Sequence, residues 1–288
     1  MNIDKFRVRP GDDKALARHA PGDTANFRGK EEAVERLAKG VERLEARQEL
    51  LHAQGEYALL IVLQGMDAAG KDGIVKHVMS GVNPLGVDVH AFKQPSSEEL
   101  GHDFLWRAER VLPARGRIGI FNRSYYEDVI VVRVHPAILG AQRLPEDRIT
   151  KDIWKERFDD IRAFERHLWR NGTVIVKFFL NMSRPEQKRR LLRRLDDPAR
   201  NWKFSAGDLP ERAKWHAYMN GYRDALAATS TRESPWYVVP ADHKWFARVL
   251  VAEVIVETLD RLKLSFPKLS PGERRGLAQS RRQLMSKT

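Results

Sequence analysis

The sequence contains no cysteine and no apolar run long enough to cross a lipid bilayer. The lack of cysteine excludes disulfide bonds and thiolate metal sites, and it favours a reducing compartment. The first ten residues, MNIDKFRVRP, do not follow the charged, apolar and small-residue order of a secretory signal. We therefore expect a cytoplasmic protein with no membrane partner, folded as a single domain over residues 1–288.

Positive charge, in contrast, is abundant. The chain has 51 Lys and Arg against 39 Asp and Glu, which gives a formal net charge of +12. Such a surface attracts polyanions, and nucleic acid, anionic lipid and phosphorylated substrates are all candidates. An excess that only keeps the protein soluble is an equally good interpretation, so the choice depends on motifs.

Apolar periodicity divides the chain into segments. Residues 1–28 are polar and predict an extended arm, and an amphipathic helix is predicted from Lys30 to Gln54. A short continuous apolar run at 57–64 then predicts a strand buried on both faces, as in a parallel sheet, and further candidate strands lie at 87–92, 117–121, 173–180 and 236–240. Helices are predicted between them, at 72–79, 97–111, 153–170, 185–195, 211–228 and 245–264. This alternation predicts an α/β fold with a layered parallel sheet: residues 1–55 form the arm and first helix, 56–264 the core, and 265–288 a mobile basic tail.

The run VLQGMDAAGKDGIV, residues 62–75, contains the G-x-x-x-x-G-K pattern of a phosphate-binding loop. The string alone is weak evidence, but here it follows a buried strand and opens a helix, as phosphate binding requires. Backbone N–H groups, the helix N-terminus and the lysine would bind the anion together; the alternative is a glycine-rich turn without a ligand. The predicted phosphate-binding residues are Gly65, Met66, Ala68, Ala69, Gly70, Lys71, Asp72 and Gly73.

Two carboxylates accompany this loop, although carboxylates repel phosphate. Asp67 lies inside it, and Asp72 stands where Ser or Thr is usual. A magnesium ion converts the repulsion into a bridge, because it binds carboxylate and phosphate oxygens together. For Asp67 we favour metal ligation. For Asp72 an interaction with the positive helix end is at least as good an explanation.

A second polar cluster, in IFNRSYYEDVIV, follows the third predicted strand. The carboxyl ends of parallel strands share one edge of a sheet, so this cluster should lie near the loop. Asn122 would orient a metal-bound water, Glu127 would supply negative charge, and Arg123 would neutralise the phosphoryl group in transfer. The alternative is a surface Arg–Glu pair at a helix end. The predicted catalytic residues are Asp67, Lys71, Asn122, Arg123 and Glu127, with Asp67, Asn122 and Glu127 as metal ligands.

From about residue 26 to 264 the chain resembles the family-2 polyphosphate kinases. The resemblance lies in GMDAAGKDG, VNPLGV, SSEELGHDFLWR, FNRSYYEDVIVVRV, RFDDIRAFERHL, VKFFLNMS, RRLDDPARNWKFSAGDLPERAKW and SPWYVVPADHKW. The Asn in FNRS, together with YYED, is similar to the class III branch, which is associated with phosphorylating both nucleoside mono- and diphosphates. The resemblance implies a three-layer α/β/α P-loop kinase fold, thymidylate-kinase-like, with a helical lid. It also implies Mg²⁺, for which Mn²⁺ could substitute, and a homo-oligomer, either a dimer or a tetramer.

Inorganic polyphosphate as a donor requires a basic track. The run SRPEQKRRLLRRLDD places arginines at i, i+4 spacing, usually a solvated face, but the loop and the resemblance favour anion binding. Residues 196–212 look like a lid that excludes water. In it, Trp202 and Phe204 either stack on a base or anchor the lid, and Asp208 either orients Lys203 or caps the next helix. The residues predicted for the track and lid are Lys93, Arg133, Arg189, Arg190, Arg193, Arg194, Arg200, Lys203, Asp208 and Arg212.

The sequence thus predicts reversible, magnesium-dependent phosphoryl transfer from polyphosphate to adenine or guanine nucleotides, from AMP to ADP and from ADP to ATP. The acceptor oxygen is already anionic, so positioning and electrostatics suffice without a strong base. An ATP-dependent nucleotide kinase of similar fold is one alternative. A non-catalytic nucleic-acid-binding module is another, but it leaves the loop unexplained, and no specific nucleic-acid partner is expected.

Overall fold

A five-stranded parallel sheet forms the centre of the computed structural model, which describes residues 1–286. The strand order is β2-β3-β1-β4-β5. The strands are β1 Ala58–Gln64, β2 Val87–Ala91, β3 Ile118–Asn122, β4 Thr173–Asn181 and β5 Trp236–Pro240. Every residue of the central β1 is buried, as expected for a parallel strand covered on both faces. All five predicted strands are confirmed, each to within one residue at its ends.

Helices cover the sheet to give the predicted α/β fold. They are α1 Ala15–Arg18, α2 Lys30–Gln54, α3 Lys71–Val78, α4 Trp106–Glu109, α5 Glu127–Val134, α6 Pro136–Ala141, α7 Ile153–Arg170, α8 Arg184–Asp196, α9 Asp208–Ala213, α10 Trp215–Thr229, α11 Lys244–Asp260 and α12 Pro271–Met285. One group consists of α2, α3 and α11 packed together, and another of α5, α7 and α10. Among residues 1–286, none of these helices is long and apolar enough to span a bilayer.

Two helix predictions are wrong in detail. A single helix over 97–111 is absent; a 3-10 turn at Glu99–Gly101 and the short α4 replace it. The Ser96 hydroxyl accepts from the Glu99 N–H, and the Asp103 carboxylate accepts from the Leu105 N–H, so side chains compete with helical hydrogen bonds. The predicted helix 211–228 is divided into α9 and α10 at Lys214. Sequence periodicity also missed α5 and α6.

The first residues pack on the core, which corrects the prediction of an extended arm. Ile3, Phe6 and Val8 are buried. Arg7 forms an antiparallel bridge with Tyr237 of β5, and the Val8 N–H donates to the Trp236 carbonyl at 2.8 Å. The arm therefore covers one border of the sheet.

The basic tail contains a regular helix, α12, whereas the sequence predicts only a mobile segment. Ser270 and Glu273 form a capping box at its N-terminus. No residue of α12 is buried, so the helix stands apart from the core. The predicted tail runs to residue 288, and its last two residues lie outside the described range.

Candidate active site

The phosphate loop connects β1 to α3 by a tight turn that requires glycine at two positions. Gly65 has φ +153°, and a Cβ there would lie 3.1 Å from the Leu180 carbonyl oxygen. Gly70, just before α3, has φ +110°. Such positive φ values favour glycine, which explains both glycines of the motif.

Side chains of α8 donate hydrogen bonds to backbone carbonyl groups of the loop. Gln187 Nε2 donates to the Asp67 carbonyl at 3.0 Å. Arg190 Nη1 donates to the carbonyl oxygens of Ala68 at 3.0 Å and Ala69 at 2.7 Å. Arg190 is buried, and it also bonds to Glu186 at 2.6 Å and to the Ala241 carbonyl. Its guanidinium is therefore bonded to protein acceptors and supports the loop, and its contact with polyphosphate stays a prediction.

Lys71 is buried at the start of α3. Its Nζ donates to the Gly65 carbonyl oxygen at 2.6 Å. Burial, reinforced by the charge of Arg123, lowers the Lys71 pKa to about 8, although the neighbouring carboxylates of Asp67 and Glu127 oppose this. A bound phosphate would favour the charged form and raise this pKa again, so an anion would stabilise the buried lysine.

An acid–base–acid chain crosses the front of the loop. The Arg123 guanidinium donates to the Asp67 carboxylate and, at 3.1 Å, to Glu127 Oε2. Burial alone would raise the Asp67 pKa, but the charges of Arg123 and Lys71 outweigh burial and lower it. Burial opposes the charged form of Arg123 as well, and Glu127 and Asp67 raise its pKa above the usual value. Asp67 and Arg123 are thus ionised.

Asn122 and Asp72 are joined beside this chain. Asn122, the last residue of β3, donates from Nδ2 to Asp72 Oδ1 at 2.8 Å. Asp72 lies in the first turn of α3, where a negative charge interacts favourably with the helix dipole. This position is compatible with metal ligation by Asp72 and with its interaction with the positive end of the helix.

A basic cavity of about 440 Å³ opens in front of the loop. Several predicted residues line it, including the loop residues from Asp67 to Gly73 together with Asn122, Arg123, Arg190, Lys93, Arg193, Arg194, Arg200 and Lys203. Lys244 and Arg248 of α11 also line it, and sequence analysis missed both. Their only signal was position, because α11 begins just past the carboxyl end of β5.

Lys244 shows how strongly cationic this cavity is. Burial and the charges of Arg190 and Arg193 lower its pKa to about 8. Among the described residues, no carboxylate forms an ion pair with Lys244, Arg248 or Arg193. A concentration of cations without acidic partners is electrostatically unfavourable unless an anion binds against it.

A second cavity of about 740 Å³ shares Asp67, Phe92, Lys93 and Arg123 with the first. Its other walls come from α4, α5, α6, α9 and α10 and combine apolar with polar side chains: Val131, Val132 and Ile138 with Arg107, Glu127, His135, Glu211 and Tyr218. The two cavities meet at the Asp67–Arg123 pair. Sequence analysis did not identify His135, Glu211 or Tyr218 as part of the site.

Four of the residues predicted for the track and lid line neither cavity, and the same is true of Gly65 and Met66 of the loop. Arg133 forms an ion pair with Asp224 of α10 at 2.8 Å. Arg212 donates to the Arg184 carbonyl at 2.8 Å and to Gln187 Oε1 at 2.7 Å, so it attaches α9 to α8. Asp208 accepts from Arg194 at 3.2 Å, and Arg189 is largely exposed beside Glu186.

Trp202 and Phe204 occupy different environments in the lid. Trp202 is 78% exposed, which excludes it as a core anchor. Lys203 Nζ lies 4.8 Å from the centre of the Trp202 ring. Phe204 is partly buried. The lid therefore presents one free aromatic face to solvent.

Comparison with known proteins gives a consistent result. The model of the family described as Polyphosphate kinase 2 matches residues 28–267. An ADP-polyphosphate phosphotransferase of Rhodopseudomonas palustris is 50% identical over 98% of both chains. An AMP/ADP-polyphosphate phosphotransferase of Meiothermus ruber is 45% identical over 92% of this chain and 95% of its own. The crystal structure of polyphosphate kinase 2 from Arthrobacter aurescens TC1 superposes with a TM-score of 0.85 at 42% identity, covering 96% of this chain and 95% of that one. This chain belongs to the polyphosphate kinase 2 family.

Proposed function

We propose that the protein transfers phosphoryl groups reversibly from inorganic polyphosphate to the terminal phosphate of nucleoside mono- and diphosphates whose base is adenine or guanine. The observation that carries the proposal is the junction of two cavities at Asp67 and Arg123. One of them is lined by Arg193, Lys244 and Arg248, which form no ion pair with a carboxylate among the described residues. The names of the relatives from Rhodopseudomonas palustris and Meiothermus ruber agree with a polyphosphate donor and with ADP or AMP as acceptor.

The basic cavity suits the donor. Polyphosphate has no base or sugar to recognise, so its binding depends on charge and on hydrogen-bond donors. Loop N–H groups and Lys71 would bind the reacting end. Arg193, Lys244 and Arg248 would bind the units that follow.

The second cavity suits the acceptor nucleotide. Its volume falls within the usual range for small-molecule sites, and it mixes apolar walls with a few polar groups. Val131, Val132 and Ile138 offer apolar contact to a nucleoside. Lys93 and Arg123, which it shares with the basic cavity, would place the acceptor phosphate against the donor.

Glu127 provides a test of whether the site fits a divalent cation. Its Oε1 atom is buried and has no hydrogen-bond partner among the described residues. Asp67 faces it across Arg123, so two carboxylates flank one position. Asp67 and Glu127, with Asn122 beside them, would hold Mg²⁺, or Mn²⁺ in its place. When bound, the ion neutralises charge on the phosphates.

The residues of this chain then act by position and charge. Lys71 and Arg123 would stabilise the charge that spreads over the phosphoryl group during in-line transfer. The lid, residues 196–212, would bring Arg200 and Lys203 over the donor and exclude water, which would otherwise hydrolyse it. Glu211 belongs to α9, at the end of the lid. Its carboxylate already lies 2.7 Å from the His135 ring.

The deciding experiment is incubation of the purified protein with long-chain polyphosphate, Mg²⁺ and separate panels of nucleoside mono- and diphosphates. We expect ADP from AMP and ATP from ADP. Asp67→Ala and Lys71→Ala should abolish product, while Arg36→Gln, at an ion pair with Glu253 outside both cavities, should retain it. Product formed only with ATP as phosphoryl donor would identify an ordinary nucleotide kinase. Tight, salt-sensitive nucleic-acid binding without turnover would identify a binding module.

We extend the proposal to the state of the protein in the cell. The absence of cysteine and of a spanning helix in residues 1–286 supports a cytoplasmic location. Family resemblance supports a homo-oligomer, a dimer or a tetramer. Sedimentation analysis tests the oligomer, and a single species at the mass of one chain would contradict it.

A further inference from the structure

We propose that Arg123 occupies, in the free protein, the position between Asp67 and Glu127 that a divalent cation takes during the reaction. Metal then binds tightly only when phosphate draws Arg123 away, so the ion and the phosphate enter the site together. This inference rests on the proposed function, because it assigns the order in which the components of that reaction assemble.

The first argument is the contact pattern of Arg123. Its guanidinium bridges both carboxylates, through Nη2 to Asp67 and through Nη1 to Glu127 at 3.1 Å. A divalent cation and a guanidinium both neutralise a pair of carboxylates, and they cannot share the space between them. Metal binding to the free protein must therefore break two charge-assisted hydrogen bonds.

The second argument is that the carboxylate set is incomplete for a metal. Within residues 1–286, no group of three or more His, Asp or Glu side chains is arranged to hold an ion. Mg²⁺ prefers six oxygen ligands, and it is commonly bound by one or two carboxylates with substrate phosphates. Asp67 and Glu127 match that mode, so phosphate oxygens are needed to complete the coordination.

The third argument is the unpaired atom of Glu127. Its Oε1 is buried without a hydrogen-bond partner among the described residues, although its other oxygen is paired with Arg123. A buried carboxylate oxygen without a partner is unfavourable, and such atoms often mark a site whose ligand comes later. Arg123 therefore satisfies this carboxylate only in part, as a substitute would.

The fourth argument is that Arg123 has an alternative partner within reach. Its backbone is fixed, with φ +65° and an N–H that donates to the Leu63 carbonyl at 3.0 Å. Its side chain nevertheless lines both cavities. A phosphate in the basic cavity offers the planar guanidinium a bidentate acceptor, and that bond compensates for the loss of Asp67.

The test measures binding of Mn²⁺ alone to the full chain by electron paramagnetic resonance, without phosphate. Arg123→Gln should bind Mn²⁺ about ten-fold more tightly than the unmodified protein, because two carboxylates lose their cation. Arg36→Gln, which removes a cation from an ion pair with Glu253 outside both cavities, should leave the affinity unchanged. Adding Asp67→Asn to Arg123→Gln should abolish the gain. Equal affinities of Arg123→Gln and the unmodified protein would overturn the proposal.

A second measurement is independent of whether Arg123→Gln folds. Calorimetry with tripolyphosphate in the presence of a chelator compares Asp67→Asn with Asp72→Asn, since each removes one negative charge from the same loop. Only Asp67 holds Arg123, whereas Asp72 is bonded to Asn122. Asp67→Asn should strengthen tripolyphosphate binding about ten-fold more than Asp72→Asn does. Equal gains would refute the role of Arg123.

The two proposals can fail separately. If the unmodified protein makes no nucleotide from polyphosphate but Arg123→Gln still tightens Mn²⁺ binding, the assigned reaction is wrong and the exchange at Arg123 stands. If nucleotide forms but Mn²⁺ affinity does not respond to Arg123, the reaction stands and the exchange is wrong.

Discussion

Replacing Lys71 with Met should make the protein more stable while removing its activity. The lysine is only 8% exposed, and burial of its charge lowers its pKa from 10.5 to about 8. The positive charge is therefore held at a disadvantage in the free protein. We interpret this as stability given up for phosphate binding.

The size of the effect follows from that pKa. A drop from 10.5 to about 8, at about 1.4 kcal/mol per unit, corresponds to roughly 3 kcal/mol of destabilisation while the lysine is charged. Met also loses the bond from Nζ to the Gly65 carbonyl, which contributes about 1 kcal/mol. We therefore expect Lys71→Met to raise the free energy of unfolding by about 2 kcal/mol near neutral pH.

The gain should depend on pH in a defined direction. The unfolded chain keeps the lysine proton up to about pH 10.5, and the folded protein loses it near pH 8. Below pH 8 both states are charged and the disadvantage is complete. Between about pH 8 and pH 10.5 the unfolded state binds more protons than the folded state. The stability of the unmodified protein therefore rises with pH in this range, and the advantage of Met disappears.

Urea unfolding near neutral pH and near pH 10 tests this reasoning. Lys76→Met, at an exposed lysine of the same helix, is the matched control and should change stability little at either pH. A Lys71→Met protein that is less stable near neutral pH would refute the argument. So would a gain that persists unchanged near pH 10.

Three further predictions concern other parts of the molecule. Lys177→Met should reduce the free energy of unfolding by about 3–5 kcal/mol in urea, because it leaves the fully buried Glu165 without its cation, and adding Glu165→Leu should recover part of the loss. The kcat/KM for polyphosphate should fall as pH rises past 8, because Lys71 and Lys244 both have a pKa of about 8. Lys244→Arg should make that fall less steep, because only Lys71 then loses its proton in this range; an unchanged slope would contradict contact between Lys244 and the donor. Deletion of residues 267–288 should leave the thermal unfolding midpoint unchanged, because α12 buries nothing; a clear decrease would show that the tail packs on the core.

The central strand was predictable because it is a continuous apolar run. A strand covered on both faces cannot include exposed polar residues, so ALLIVLQ in β1 differs plainly from the periodic helices around it. The loop was predictable because glycine and lysine have separate physical roles there. The short α5 was missed because EDVIVVRV lacks a helical period. It is also rich in the β-branched residues valine and isoleucine, a composition typical of strands.

The distribution of cations could not be predicted from the sequence. Arg189 and Arg190 are neighbours in the chain, but consecutive helical residues point about 100° apart. Arg189 is exposed and Arg190 is buried against the loop. The spacing identified a basic helix, and only tertiary contacts decide which arginine faces the cleft. Lys244 and Arg248 reach the cleft from a helix more than 170 positions beyond the loop, a proximity that the linear sequence does not express.

The packed N-terminal arm has a consequence for handling the protein. Its bridge to Tyr237 protects a strand whose peptide groups would otherwise be free to pair with another molecule. Proteolytic loss of residues 1–9 would uncover those groups together with the apolar sites filled by Phe6 and Val8. Protein that has lost residues 1–9 should therefore aggregate, even though every residue of the phosphate loop remains in place.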